Sequence, residues 1–105
     1  MNQITIFNHL GNDIRVTTTE DGEPWFVLKD ICDALNLKNI SDVASRLDSE
    51  RVSTTEAIDN RGVQQKTNVV TEADLYEVII RSDKPEAKAF RRWVTSEVLP
   101  SIRKH

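Results

Sequence analysis

The feature that most constrains the fold is a helical repeat of apolar residues near the end of the chain, between two prolines. Four residues recur there at three- and four-residue spacing: Ala87, Phe90, Val94 and Val98. This spacing predicts an α-helix with one buried face. The helix should begin near Asp83, a suitable N-cap, with Pro85 in its first turn. Pro100 should end or kink it, because proline lacks an N–H and clashes with the preceding turn.

Short runs of branched and aromatic residues in the first third of the chain predict strands. Turn residues that include Gly11 and Gly22 separate these runs, which is typical of a small meander. The predicted strands are residues 4–7, 14–17 and 24–27.

Residues 51–70 predict a hairpin with a turn at 59–62. Its arms, 52–58 and 63–70, are rich in Ser, Thr, Gln and Asn, so much of the hairpin should face water. A solvated hairpin is the favoured interpretation. The alternative is an arm that touches a partner through Arg61 and Lys66.

Helical spacing also occurs between these two regions. One predicted apolar face consists of Leu28, Ile31, Cys32 and Leu35. A second short helix is predicted over 40–48, with Ser41 as its N-cap. Two short helices around a break resemble a helix-turn-helix. Helix 40–48 carries only Arg46 as a cation, beside Asp42 and Asp48, so a plain helical hairpin packed on the sheet is favoured.

These patterns together predict an α+β fold with a helical C-terminal third. Residues 71–74 resemble a capping box ahead of another helix. We expect a small antiparallel sheet of about five short strands packed with about four helices. The 105 residues suit one domain over 1–105. A single cysteine and no long apolar run favour a cytoplasmic protein without a membrane segment.

The candidate catalytic residues are few and scattered. His9 and His105 have no nearby nucleophile arrangement, and turns account for all three glycines, so no phosphate loop remains. Asp30 and Asp33 are expected to face solvent, and Cys32 is expected to be a small core residue. We therefore expect no enzyme activity, no cofactor and no metal site.

The charge is distributed unevenly along the chain. The formal net charge is −3 and the pI is about 5.3, which argues against a general polyanion binder. Residues 1–80 hold 7 basic and 14 acidic side chains, whereas residues 81–105 hold 7 basic and 3 acidic ones. This asymmetry favours a partner site near the C-terminus.

Four cations of the C-terminal helix should form one row beside its buried face: Lys84, Lys88, Arg91 and Arg92. At 100° per residue they fall within about 100° of one another. Such a row can neutralise DNA phosphates or meet an acidic protein surface. On spacing alone, the favoured interpretation is a charged face that only keeps the helix soluble. Trp25 and Trp93 are expected in the core or at its edge.

Three segments resemble the N-terminal domain of the BRO family, the Bro-N domain. Residues 24–35 (PWFVLKDICDAL) are similar to its opening motif PWFVAKDVCxAL. Residues 82–94 (SDKPEAKAFRRWV) are similar to SxKPEAKxFxRWV, and residues 97–103 (EVLPSIR) to EVLPxIR. The resemblance covers nearly the whole chain in order.

The departures from the family pattern are small. Leu28 replaces the commoner alanine, and residues 71–76 (TEADLY) fit NExGLY loosely, with Asp74 in place of glycine. The hairpin at 51–70 fits only in general character.

The resemblance implies a phage or prophage antirepressor, a transcriptional regulator that opposes a phage repressor and moves lysogeny towards lytic growth. It also implies DNA binding through this domain, without catalysis or a cofactor. Because family members usually carry a separate C-terminal domain, we expect the N-terminal module of a longer antirepressor, acting in the cytoplasm of a bacterial host.

Two mechanisms follow from these observations, and we favour the first. In the first, the domain binds duplex DNA through the phosphate contacts of Lys84, Lys88, Arg91 and Arg92, helped by Arg61, Lys66 and Arg103. In the second, it binds a phage repressor or itself through the hairpin and the cation row. A homodimer would help the first mechanism by pairing two rows.

Overall fold

The computed structural model describes residues 3–45, 53–58, 61–82 and 84–103. The strands are β1 (Gln3–His9), β2 (Asn12–Thr18), β3 (Pro24–Val27), β4 (Ser53–Ile58) and β5 (Gln64–Thr71). The helices are α1 (Leu28–Ala34), α2 (Ile40–Ser45), α3 (Glu72–Ser82), α4 (Pro85–Trp93) and α5 (Leu99–Ile102), and a π-helical turn at Val94–Val98 joins the last two. The predicted α+β class, with its helical C-terminal third, is confirmed.

The strands form one antiparallel sheet in the order β1-β2-β3-β5-β4. The first three strands form the predicted meander. The β4–β5 hairpin joins them through β5, which places Val70 opposite Phe26 of β3. As a result, β1 and β4 are the outer strands of the sheet.

A two-residue turn connects β1 to β2. His9 pairs with Asn12, and the residues between them, Leu10 and Gly11, have φ values of 51° and 88°. Two consecutive positive φ angles define a type I′ turn, which matches the twist of a β-hairpin. Leucine pays a steric penalty of about 1–2 kcal/mol in this conformation, and Leu10 is also 84% exposed.

The core lies between the sheet and the helices. Helices α1 and α3 pack on the sheet, and α4 packs on α3. Both predicted apolar helix faces are buried, and with them the strand residues Ile14, Val16, Phe26 and Val70. Cys32 is fully buried, as predicted, and Trp25 and Trp93 are half-buried at the core edge.

Asp30 corrects the expectation that both acids of α1 face solvent. Asp33 is exposed, but Asp30 is only 8% exposed and bonds to Arg15 of β2. Its Oδ2 accepts from the Arg15 backbone N–H (2.9 Å) and Nε (2.8 Å), and its Oδ1 accepts from Nη2 (2.9 Å). Strand β3 stops pairing with β2 at Val16, so the carboxylate takes the place of a strand partner for Arg15. This bond ties α1 to the sheet.

Two predicted helix caps are also corrected. Helix α2 begins at Ile40, and Asn39 rather than Ser41 caps it, since its Oδ1 accepts from the Asp42 N–H at 3.0 Å. The N-cap of α4 is Lys84, one residue after the predicted Asp83, which lies outside the described residues. The predicted cap at Thr71 is confirmed, because its Oγ1 accepts from the N–H three residues later at 3.3 Å.

The two short helices, α1 and α2, pack against each other, as expected for a helical hairpin. Val43 and Ala44 of α2 pack against the core, and Asp42 is exposed. Residues 46–48 of the predicted second helix, including Arg46, lie outside the described residues, as do 51, 52, 59 and 60 of the predicted hairpin.

Candidate nucleic-acid interface

Helix α4 carries the predicted cation row, and its sequence explains where it forms. Pro85 occupies the first turn, where its missing N–H costs nothing, and Glu86 suits the positive end of the helix dipole. Arg91 and Arg92 lie in the last turn, where cations are favoured.

Pro100 interrupts this helix rather than ending it. It cannot donate to the carbonyl four residues earlier, and its ring would clash with that carbonyl. The backbone opens into the π-helical turn, in which the Leu99 N–H bonds to the Val94 carbonyl. The chain then continues as α5 to Ile102.

The helix is anchored by its buried apolar face and by aromatic rings along one flank. Ala87 and Phe90 are buried, and so are Val94 and Val98 of the π turn. On the flank facing β1, the Trp93 ring lies 4.7 Å from the His9 ring and 5.6 Å from the Phe90 ring. A helix held in this way presents its remaining side chains from a fixed backbone.

The sequence gives no signal for the ring contacts of His9. Its ring lies 5.4 Å from Phe90 in an edge-to-face arrangement. Burial lowers the pKa of His9 below its usual 6.5, partly offset by the carboxylate of Glu97. At neutral pH the lowered pKa favours the neutral imidazole, which forms part of the aromatic cluster that supports α4.

The four cations of the row differ in their partners. The Lys84 ammonium donates to the Asn36 carbonyl at 2.7 Å, and the Arg91 guanidinium lies over the Tyr76 ring, 5.8 Å from its centroid. The side chains of Lys88 and Arg92 are exposed and make no hydrogen bond or ion pair within the described part of the chain. Lys88 and Arg92 are consequently the cations best placed to meet a partner.

Arg103 lies in an ion-paired cluster beside the row. Its Nη2 donates to Glu72 Oε1 at 2.6 Å, and the Tyr76 hydroxyl donates to Glu72 Oε2 at 3.1 Å. Burial raises the pKa of Tyr76, and the Glu72 carboxylate raises it further, against the opposing effect of Arg103 and Arg91. Since Glu72 already neutralises Arg103, this arginine has less charge to offer a phosphate.

An open groove of about 420 Å³ runs between α3 and α4. Three cations of the row line it together with apolar residues: Ile79, Ile80, Lys84, Pro85, Ala87, Lys88 and Arg91. Ile80 is 68% exposed in this groove. The groove was not predicted from the sequence. The adjacent Ile79 and Ile80 are the signal for it, because one helix face cannot bury both.

The two remaining predicted site residues lie on another element. Arg61 is in the turn of the β4–β5 hairpin and Lys66 is in β5, and both are exposed. Lys66 lies opposite Glu56 in the strand register. Strand β5 of the hairpin pairs with β3, whereas α4 packs on α3. Of the predicted site residues, only Lys84, Lys88 and Arg91 line the groove together.

Neither a metal-binding group nor a membrane-spanning helix occurs in the described part of the chain. No three His, Cys, Asp or Glu side chains within residues 3–45, 53–58, 61–82 and 84–103 come together as a metal-binding group. None of the helices described there has the length and apolar content to cross a membrane.

Comparison with known proteins defines the class of this domain. The model of the BRO family N-terminal domain, Bro-N, matches residues 13–100, and the chain belongs to that family. Bro-N is a regulatory, non-catalytic domain family, generally of phage-associated regulators.

Two curated relatives are similar to the chain over most of its length. An uncharacterized protein of Haemophilus influenzae is 34% identical over 97% of this chain and 51% of its own. The putative Bro-N domain-containing protein 289L of Invertebrate iridescent virus 6 is 32% identical over 89% of this chain and 26% of its own. The chain thus spans about half of one relative and about a quarter of the other. No solved structure matches it significantly.

Proposed function

We propose that this domain binds duplex DNA through the exposed cations of α4 and serves a phage antirepressor-type regulator of the lysogenic switch. The observation that carries the proposal is the row itself. Lys88 and Arg92 have no partner within the described residues, and they project from a helix whose opposite face is buried in the core.

The chemistry of the row suits phosphate contacts that position a domain on DNA. Lysine and arginine release counterions from the duplex when they neutralise phosphates, which gives sequence-independent affinity that falls with salt. Lys84 and Arg91 border the same groove, and a lysine ammonium bonded to one carbonyl still has two N–H donors. In this proposal Arg61, Lys66 and Arg103 make secondary contacts.

The test is an anisotropy titration of the chain against a short random-sequence duplex at several salt concentrations. About four phosphate contacts give a log–log slope of binding against salt near −3.6. Lys88→Glu combined with Arg92→Glu should abolish binding at low salt. No binding of the unmodified chain at low salt would contradict the proposal.

A matched control separates the row from net charge. Lys29→Glu combined with Lys38→Glu changes the net charge equally, at two exposed lysines outside the row. This control should reduce binding only slightly. An equal loss in both double variants would mean that net charge, and not α4, attracts the DNA.

The groove favours a second candidate function, docking of an acidic amphipathic segment of a phage repressor. Its lining includes the exposed Ile80, which phosphate contacts do not need. Ile80→Lys distinguishes the two candidates, because it adds a cation and removes apolar surface. DNA binding should persist or strengthen in this variant, whereas capture of a co-expressed phage repressor should weaken.

A further inference from the structure

Strand β1 is an outer strand whose exposed side has no charge. Its seven residues include neither a charged side chain nor a proline, and these are two of the devices that usually block pairing at a sheet edge. On the side of the sheet that faces away from α4, Ile4 is 42% and Ile6 is 62% exposed. Phe7 and His9 point the other way and pack against α4.

The turn next to β1 determines which backbone groups remain unpaired. In a type I′ turn the two flanking residues, His9 and Asn12, form a hydrogen-bonded pair. Pairs in an antiparallel ladder alternate between bonded and non-bonded types. The N–H and C=O groups of His9, Phe7 and Thr5 therefore face β2. Those of Ile4, Ile6 and Asn8 point away from β2, in the plane of the sheet, and have no strand beside them.

We propose that β1 pairs antiparallel with β1 of a second copy of this chain, about a two-fold axis at Ile6. In this register Ile6 lies opposite Ile6 of the other copy, and Ile4 lies opposite Asn8. All three outward-facing residues then fall in hydrogen-bonded positions, which gives about six main-chain bonds between the copies. A two-fold interface of this kind closes on itself and stops at a dimer.

A second copy fits this edge better than an unrelated strand for two reasons. First, the register pairs every unpaired N–H and C=O of Ile4, Ile6 and Asn8. Second, each chain carries a net charge of −3, but the two β1 strands that meet carry no charge and do not repel each other. The opposite edge differs, because β4 contains Glu56 among its six residues. A charge on an edge strand disfavours edge-to-edge pairing.

Sedimentation equilibrium of the chain tests the dimer. We expect a mass of twice 12.0 kDa that dissociates on dilution. Ile6→Lys should abolish the dimer, because two ammonium groups would meet at the axis. Ile80→Lys is the matched control, since it makes the same change at an equally exposed isoleucine on α3. It should leave the dimer intact.

Disulfide trapping tests the register and does not depend on the folding of the Ile6→Lys variant. Opposite residues in a hydrogen-bonded pair have Cα atoms about 5.5 Å apart, within disulfide range. Ile6→Cys should therefore cross-link two copies under oxidation. Ile4→Cys alone should not, because its equivalent lies four residues along the strand, about 14 Å away. Cys32 is fully buried and contributes no background.

Three results would overturn the proposal. The first is a chain that stays monomeric up to millimolar concentration. The second is a dimer that survives Ile6→Lys but is lost in Ile80→Lys, which would place the interface at the α3–α4 groove. The third is cross-linking by Ile4→Cys in preference to Ile6→Cys. None depends on DNA binding, so the dimer and the proposed function fail or hold separately.

Discussion

Helices α1 and α4 both bury an apolar face, but they use their charged residues in opposite ways. In α1, Asp30 is buried and bonded to Arg15 of the sheet. In α4, Lys88 and Arg92 are exposed without a partner among the described residues. The charge of α1 is used inside the fold, whereas the charge of α4 is left for something outside it.

This difference separates residues that hold the domain together from residues that offer it to a partner. A buried charge must be paired, because its desolvation penalty is otherwise unmet. An exposed charge contributes little to stability, so its position is unconstrained by folding. Substitutions in α1 should therefore change stability, and substitutions in the cation row of α4 should change binding.

The largest expected effect comes from breaking the buried bond of α1. Asp30→Asn removes the charge that pairs with Arg15 and places an amide N–H₂ near the guanidinium. We expect the free energy of unfolding to fall by about 3–5 kcal/mol, as for other buried pairs that lose one partner. Urea unfolding followed by circular dichroism measures this loss.

Asp33→Asn is the matched control, since it makes the same substitution one turn along α1. Asp33 is exposed, and its Oδ2 lies 3.7 Å from Lys29 Nζ. An exposed pair of this kind contributes at most about 0.5 kcal/mol. Similar losses in the two variants would show that the buried bond of Asp30 does not hold α1.

Cys32 gives a second measure of how firmly α1 is attached. Burial raises the pKa of Cys32 to about 11, and the nearby Asp33 carboxylate contributes. This is two units above the ordinary thiol pKa of 9.0, which means about 100-fold less thiolate at neutral pH. Alkylation by iodoacetamide should be slower than in urea by at least that factor. Equal rates, followed by mass spectrometry, would indicate that α1 detaches readily.

The sequence predicted the helix faces and strands because their periodicity reports burial directly. The repeats around Phe90 and Ile31 are buried as expected, and β3 runs from Pro24 to Val27 as predicted. Asp30 could not be placed in the same way. Its helical position lies about 150° from the centre of the apolar face, which predicts exposure. Asp30 is buried because its carboxylate accepts from the Arg15 N–H beyond the last residue at which β3 pairs with β2.

The candidate site was predicted as a list of cations, and their partners could not be predicted. The bond from Lys84 to the Asn36 carbonyl and the ion pair of Arg103 with Glu72 join residues 48 and 31 positions apart. Helical spacing carries no information about contacts at such separations. It fixed the row on one face of α4, but not the groove that α3 forms beside it.

Arg91 and Arg92 sharpen the comparison within α4. Arg91→Ala removes the contact with the Tyr76 ring and should cost about 0.5–1 kcal/mol of stability, whereas Arg92→Ala should cost less than about 0.5 kcal/mol. Under the proposed function, each should lower the salt slope of DNA binding by about 0.9. Equal stabilities would show that the ring contact contributes nothing.

The same pair of variants has a spectroscopic readout. Arg91 opposes the rise in the pKa of Tyr76, which is the single tyrosine of the chain. Ultraviolet titration should therefore show a higher phenol pKa in Arg91→Ala than in Arg92→Ala. A phenol pKa that does not differ between them would place the Arg91 guanidinium away from the ring.

The smallest expected effect concerns His9, which supports α4 from β1. Its pKa is lowered from 6.5 by burial, so the unfolded chain binds more protons than the folded one in the range just below that value. Stability must then rise with pH there: the contribution of neutral His9 is complete above about 6.5 and is lost as the pH falls towards the folded-state pKa.

His9→Phe keeps an aromatic ring against Phe90 and Trp93 and removes the titration. Urea midpoints of the unmodified chain and this variant are compared at about pH 7.5 and about pH 5. On going to the lower pH, the midpoint of the unmodified chain should fall more than that of His9→Phe. A shift in the opposite direction would mean that the protonated imidazole is stabilised, by the Trp93 ring or by Glu97, and that the contact strengthens in acid.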